Sequence, residues 1–149
     1  MRAVIQRVSE ARVSVEGETI GSIGRGWLIL LGIRTDDSDE DLTYLLEKSI
    51  NLRAFPDAEG KMNLSIADIG GEFLVVSQFT LYADTRKGRR PGFADAAPPE
   101  IANRIYEQYI SGLRKSGLAV ATGKFQADMK ISLINEGPVT FILDSRKSF

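Results

Sequence analysis

Three polar side chains close the most apolar stretch of the chain. Gly70-Gly71-Glu72 leads into Phe73-Leu74-Val75-Val76, and Ser77, Gln78 and Thr80 then follow among Phe79, Leu81 and Tyr82. A hydroxyl or carboxamide beside so much apolar surface costs free energy unless it is hydrogen-bonded. Two readings account for the three groups: a strand emerging into solvent, or a pocket at the strand's end. Two absences narrow the chemistry such a pocket could perform. The chain has no His and no Cys. That removes the usual general base, the Ser-His-Asp arrangement, thiolate catalysis and the commonest ligands for zinc or iron–sulfur clusters. Any reaction must use hydroxyls, amides, carboxylates, Lys, Arg, backbone groups or the substrate itself. No cofactor and no metal site is expected.

A second group of chemical interest follows directly. Arg86, Lys87, Arg89 and Arg90 place four cations in five positions, on a backbone constrained by Gly88, Pro91 and Gly92, with Phe93 just beyond. Most charge runs are solvated loops. This one adjoins the polar strand end, and Arg and Lys held on a restricted backbone suit phosphates. The net charge of −1 argues against a protein held to nucleic acid by bulk charge, so any such contact must be local. A third stretch, Asn135-Glu136-Gly137-Pro138-Val139-Thr140, reads on physics alone as a hairpin turn. The acidic run Asp36, Asp37, Asp39, Glu40, Asp41 is not a calcium loop. Leu42 stands in place of the loop Gly and Lys48 in place of the bidentate Glu. Gly123-Lys124 lacks the spacing and the Ser/Thr of a phosphate-binding loop.

The elements that must position these groups can be read in order. A chain of 149 residues with 43% hydrophobic and 26% charged residues is one soluble domain, spanning 1–149. No apolar run reaches the roughly 20 residues of a membrane helix, and the alternating N-terminus is unlike a signal peptide, so a cytoplasmic protein is expected. Residues 1–15 alternate as a strand, kinked near Ser9-Glu10, and strands at Thr19–Ile23 and Trp27–Ile33 complete an antiparallel meander. Ser38 caps a helix whose first turn is acidic. Its buried stripe is Leu42, Leu45, Leu46 and Ile50, and it stops before Pro56. Residues 56–70 read as irregular. The strand Phe73–Tyr82 would put Gln78 and Thr80 on one face, and Ser77, Phe79 and Leu81 on the other. A second helix starts at Pro98-Pro99-Glu100, buries Ile101, Ile105, Tyr109 and Leu113, and ends before Gly117. Strands at Leu118–Thr122, Ile131–Asn135 and Val139–Leu143 follow. The expected fold class is α/β: a single domain of mostly antiparallel, twisted, barrel-like sheets flanked by two main helices.

Ser77-Gln78-Phe79-Thr80-Leu81 together with Asn135-Glu136-Gly137-Pro138-Val139-Thr140 resembles the signature pair of the D-aminoacyl-tRNA deacylases. The likeness runs from Met1-Arg2-Ala3-Val4-Ile5-Gln6-Arg7-Val8 to Val139-Thr140, and both motifs look like the D-specific branch. The resemblance implies a homodimer that hydrolyses the ester between a D-amino acid and the 3′ acceptor end of tRNA, with glycine mischarged on tRNA(Ala) as a further substrate. It implies that Ser77, Gln78, Phe79 and Thr80 line the pocket beside the ester. Gly137 and Pro138 would form a cis peptide offered to the partner's pocket for chiral selection. Arg86, Lys87, Arg89, Arg90 and Phe93 would lie near the acceptor end, and Met129 beside the terminal adenosine. No other protein partner and no membrane are implied. The sequence departs from the family pattern with Glu136 in place of Asp and with Gln126 where Gly commonly follows Phe125. Thr80 is a candidate nucleophile without a base to activate it, so water is the expected attacking group, assisted by backbone N–H groups near Phe79 and Thr80 and by the adenosine 2′-OH. The competing reading is a non-catalytic nucleic-acid-binding module built on the Arg86–Arg90 loop.

Overall fold

The computed structural model describes all of residues 1–149. The alternating N-terminal segment forms β1, Arg2–Val15, which buries Ala3 and Ile5 in one core cluster and Val8, Ala11 and Val13 in another. Next come β2 (Glu18–Ile23) and β3 (Gly26–Gly32). These three do not form the expected meander. β1 is long enough to hold both neighbours, pairing with β3 over Arg2–Val8 and with β2 over Ala11–Val15, so β2 and β3 never pair with each other.

Helix α1 (Asp39–Asn51) starts where the sequence places it. Asp41 Oδ2 accepts from both the N–H and the Oγ of Ser38. The neighbouring acid Asp37 serves the fold as well: its carboxylate takes the Met1 α-ammonium at 2.6 Å and the Arg34 N–H at 2.6 Å. The stretch expected to be irregular contains a small hairpin of β4 (Phe55–Pro56) and β5 (Met62–Leu64). The chain then enters β6 (Glu72–Ser77), which lies parallel to β3 from Glu72 opposite Gly26 to Ser77 opposite Leu31. A strand with neighbours on both edges and cover on both faces needs a continuous apolar run, and Phe73–Val76 supplies it.

Helix α2 (Pro99–Arg114) buries Ala102, Ile105, Tyr106, Tyr109, Ile110 and Leu113. The Tyr109 hydroxyl, which as core would otherwise be unpaired, lies 2.6 Å from Ser49 Oγ on α1. After α2, β7 (Val120–Thr122) adds parallel to β6. The last strand, β8, runs unbroken from Lys130 to Asp144 and pairs antiparallel with β1 from Ser14 to Arg2. The hairpin expected at Glu136-Gly137-Pro138 therefore does not exist. The motif is an irregularity inside one long strand, where the register against β1 shifts on both sides of Val8. That shift also accounts for the kink expected near Ser9-Glu10.

The result is a nearly closed mixed sheet, in the order β2-β1-β3-β6-β7 with β8 on β1. Trp27, Phe73, Phe55 and the apolar faces of α1 and α2 form a large cluster on one side. Val8, Val13, Leu28, Leu74 and Val76 form a smaller one on the other. No helix is long and apolar enough to cross a membrane.

Candidate active site

The polar strand end is not a strand. β6 stops at Ser77 because its partner β3 stops at Gly32. Gln78 makes the last sheet bond, N–H to Leu31 O at 2.8 Å. Phe79–Tyr82 then winds into a single 3-10 turn, closed by Leu81 N–H to Gln78 O (3.2 Å) and Ala83 N–H to Thr80 O (3.0 Å). Gly32 makes room for it: a Cβ there would stand 2.9 Å from Leu81 Cβ and 3.1 Å from Gln78 O. The expected two-face alternation of residues 77–81 is thereby replaced, although Gln78 and Thr80 still meet, since Gln78 Nε2 donates to Thr80 Oγ1. The amides of Phe79 and Thr80 precede the first bond of the turn, so neither has a partner within it.

This turn forms one wall of a cleft of about 710 Å³. Ser77, Gln78 and Phe79 face Phe93 and the Pro98-Pro99 start of α2, and the loop after β7 brings in Phe125, Gln126 and Met129. Thr80 is exposed and lies outside the lining. Phe79 and Phe93 meet edge-on with centroids 5.0 Å apart, an aromatic rim with both rings partly open to solvent. Phe125 rests against Tyr106 at 6.0 Å, and the Tyr106 hydroxyl donates to Val75 O at 2.9 Å. Burial pushes the Tyr106 phenol well above its ordinary pKa, so it remains a donor throughout the accessible pH range. Gly123 lets Met129 cross the loop, because a Cβ there would lie 2.5 Å from Met129 Sδ.

The basic segment leaves the turn and returns to the cleft rim. Asp84 and Gly92 exchange backbone bonds at 2.7 and 2.9 Å, which closes the loop at its base. Arg86 is committed: its Nε and Nη2 each donate to Asp84 at 2.8 Å, and this hydrogen bonding holds the Asp84 carboxyl far below the usual carboxylate range. Lys87, Arg89 and Arg90 are exposed and form no ion pair. The loop thus offers three free cations rather than four.

Gly137 and Pro138 are joined by a cis peptide bond, are exposed, and line no part of their own chain's cleft. Two side chains hold them in place. Arg7 on β1 donates from Nε to Glu136 O at 2.9 Å and from Nη1 to Ala54 O at 2.6 Å. Asn135 accepts the Val139 N–H at 2.7 Å and donates to Val139 O and Thr140 Oγ1. Sequence reasoning missed Arg7. Nothing in the sequence separates it from the other cations of the same strand, Arg2 and Arg12. Asn135 opens the Asn135–Thr140 motif, but the sequence alone assigns it no role.

The profile of the D-Tyr-tRNA(Tyr) deacylase family matches residues 4–144. The chain is 58% identical to the D-aminoacyl-tRNA deacylase of Thermosipho africanus and 57% identical to that of Syntrophobacter fumaroxidans, over 149 residues and the full length of both proteins in each case. Among solved structures, it superimposes on one described as c-Myc DNA Unwinding Element Binding Protein. The TM-score is 0.91 at 43% identity, covering 97% of this chain and 98% of that one. With the whole chain matched and the paired motifs at the cleft and on β8, the chain belongs to the D-Tyr-tRNA(Tyr) deacylase family.

Proposed function

We propose that this chain hydrolyses the ester joining a D-amino acid to the 3′ end of tRNA, releasing free D-amino acid and tRNA. The observation that carries the reading is a cleft with no titratable side chain in its lining, beside backbone amides left free by the 3-10 turn. An aminoacyl ester is activated enough for such a site. Water attacks the ester carbonyl, and the Phe79 and Thr80 N–H groups receive the negative charge on its oxygen. The bond to the ribose oxygen then breaks, and the neighbouring 2′-OH relays the proton to that leaving oxygen. Chirality is sorted by space. The Gly137 carbonyl, supplied by a second copy, holds the α-amino group and leaves no room for an L side chain, so D-residues and glycine are accepted. On this reading the chain enforces homochirality in translation and also clears glycine from tRNA(Ala).

The second copy is supported by the position of Gly137 and Pro138 outside their own cleft, on the strand whose outer edge is unpaired. Ile134 and Ile142 of β8 are 54% and 62% exposed there, an apolar face that a homodimer would cover. A cytoplasmic setting follows from the substrate.

The test is hydrolysis of D-Tyr-tRNA and L-Tyr-tRNA side by side, with EDTA in a parallel tube. Loss of only the D-ester, in both tubes, is the expected result. Cleavage of neither ester while tRNA still binds would favour the second reading, a binding module without catalysis. That reading draws on the free cations of the Lys87–Arg90 segment and on the likeness to a protein named for DNA binding.

Two variants probe the mechanism further. Thr80→Ala should keep turnover within about threefold of the parent, because Thr80 Oγ1 accepts from Gln78 and has no base beside it. A loss of a thousandfold or more would instead make Thr80 the nucleophile. Removing Arg89 and Arg90 together should raise KM at low salt and flatten its salt dependence by about two phosphate contacts, with kcat little changed. A salt dependence identical to the parent's would take the loop away from the phosphates.

A further inference from the structure

We propose that Arg2 is a positioning residue for the reaction: it fixes the far end of the 3-10 turn, and so the aim of the Phe79 and Thr80 N–H groups. The inference rests on the deacylase reading above and adds to it a residue that lies outside the cleft.

A turn as short as Phe79–Tyr82 has too few bonds of its own to hold a direction. Its entry is tied to the sheet by Gln78 N–H to Leu31 O. Its exit is tied by Arg2. The last carbonyls of a helical turn find no partner within it, and Arg2 Nη1 donates to Leu81 O at 3.1 Å. The same guanidinium lies over the ring of Tyr82, the buried residue of the turn, with Cζ 4.7 Å from the centroid.

Arg2 is itself held from the other side. It stands opposite Asp144 in the β1–β8 register, and its Nε donates to Asp144 Oδ2 at 3.3 Å. The Asp144 side chain is 3% exposed and also accepts from the Arg146 N–H and from Ser148 Oγ, so the anchor has little freedom to swing away. Asp144 closes β8, the strand that carries Gly137 and Pro138. One planar fork of donors therefore joins the oxyanion turn to that strand, whereas a lysine would meet only one of these partners at a time. Arg2 is a third exposed, and an ion pair so open to water adds little stability. Its use is the geometry it imposes.

The test measures kcat and KM on D-Tyr-tRNA for Arg2→Met, made both in the parent and in the Phe79→Pro background. Assays run well below the melting temperature, with folding checked by circular dichroism. Arg2→Met should lower kcat about tenfold with KM unchanged, because a shifted N–H weakens the oxyanion contact and not tRNA binding. In the Phe79→Pro background one of these N–H groups is already gone, and the further loss should shrink to about threefold or less. Arg2→Lys should show the same pattern at an intermediate level, and it serves in place of Arg2→Met if that variant does not fold. An equal loss in both backgrounds, an unchanged kcat, or a loss confined to KM would overturn the proposal. A parent that leaves the D-ester intact would instead refute the deacylase reading itself.

Discussion

Gly26→Ala should be among the most damaging methyl groups that can be added to this chain. A Cβ at Gly26 would sit 1.8 Å from Glu72 O and under 3 Å from the Glu72 N and C atoms. These are backbone atoms of a paired strand, so no side chain can swing aside. The methyl is accommodated only if β3 and β6 part at Gly26↔Glu72, the first rung of their parallel ladder, and the next rung joins Trp27 to Phe73, both fully buried. Overpacking of this kind, with loss of ladder bonds, costs about 4 kcal/mol or more, a large part of the 5–15 kcal/mol typical of a domain. At roughly 2–4 °C per kcal/mol for this size, the thermal midpoint should fall by about 10 °C or more. Gly17→Ala is the control. Unlike Gly26 it has a positive φ (+81°), but its Cβ would meet nothing within 4 Å, so only the backbone preference of about 1 kcal/mol is lost. Urea midpoints of the two variants, read by circular dichroism, decide the matter. Equal midpoints would mean that β3 and β6 do not approach as described. Activity should fall with Gly26→Ala beyond the loss of folded protein, because Ser77 ends the same strand that Glu72 begins.

The same strand shows what can and cannot be read from a sequence. Trp27–Leu31 and Phe73–Val76 are legible as buried strands because nothing but a strand between two covered faces is so short and so uniformly apolar. Their partners are not legible. Pairing β3 with β6 across α1 depends on β1 occupying the edge that a meander would have given to β2. The end of β6 misleads for a related reason: Phe79, Thr80, Leu81 and Tyr82 are all good strand formers, yet a strand needs an edge to pair with, and β3 has ended at Gly32. Gly137-Pro138 is the reverse case. Locally it signals a turn, and the long ladder with β1 overrides the signal. The cleft was half visible. Its polar wall stood out as unexplained polarity, whereas Phe93, Phe125 and Met129 converge only once the sheet has curled. Arg7 could not be assigned at all, since its partners, Glu136 O and Ala54 O, are backbone atoms far away in sequence.

Arg7 also sets the scale of the second large effect. At Gly137, φ is +141°, and a Cβ would lie 2.7 Å from Val139 Cγ2, 3.0 Å from Val139 N and 3.1 Å from Arg7 Nη2. Gly137→Ala should therefore push Arg7 off Glu136 O and shift the Gly-Pro segment by a fraction of an ångström to an ångström. The segment is exposed, so the fold should survive with a modest loss of stability. A misplacement of about 1 Å in a positioning group costs on the order of a hundredfold in rate, and kcat/KM on the D-ester should fall by that much. Because Gly137 lines no part of its own cleft, the loss should be repairable in trans. On the proposed mechanism, Phe79→Pro removes one oxyanion N–H at a turn position that tolerates proline, and should by itself cost about a hundred- to a thousandfold. In a mixture of the two variants, half of randomly assorted dimers carry one chain of each kind. Each mixed dimer joins one intact cleft to one intact Gly-Pro segment, which should restore about a quarter of parental activity. Recovery to that level would establish that the site is completed by the second copy. Activity no higher than the average of the separate variants would confine Gly137 to its own chain, and the chiral filter would then have to be sought among the residues of the cleft itself.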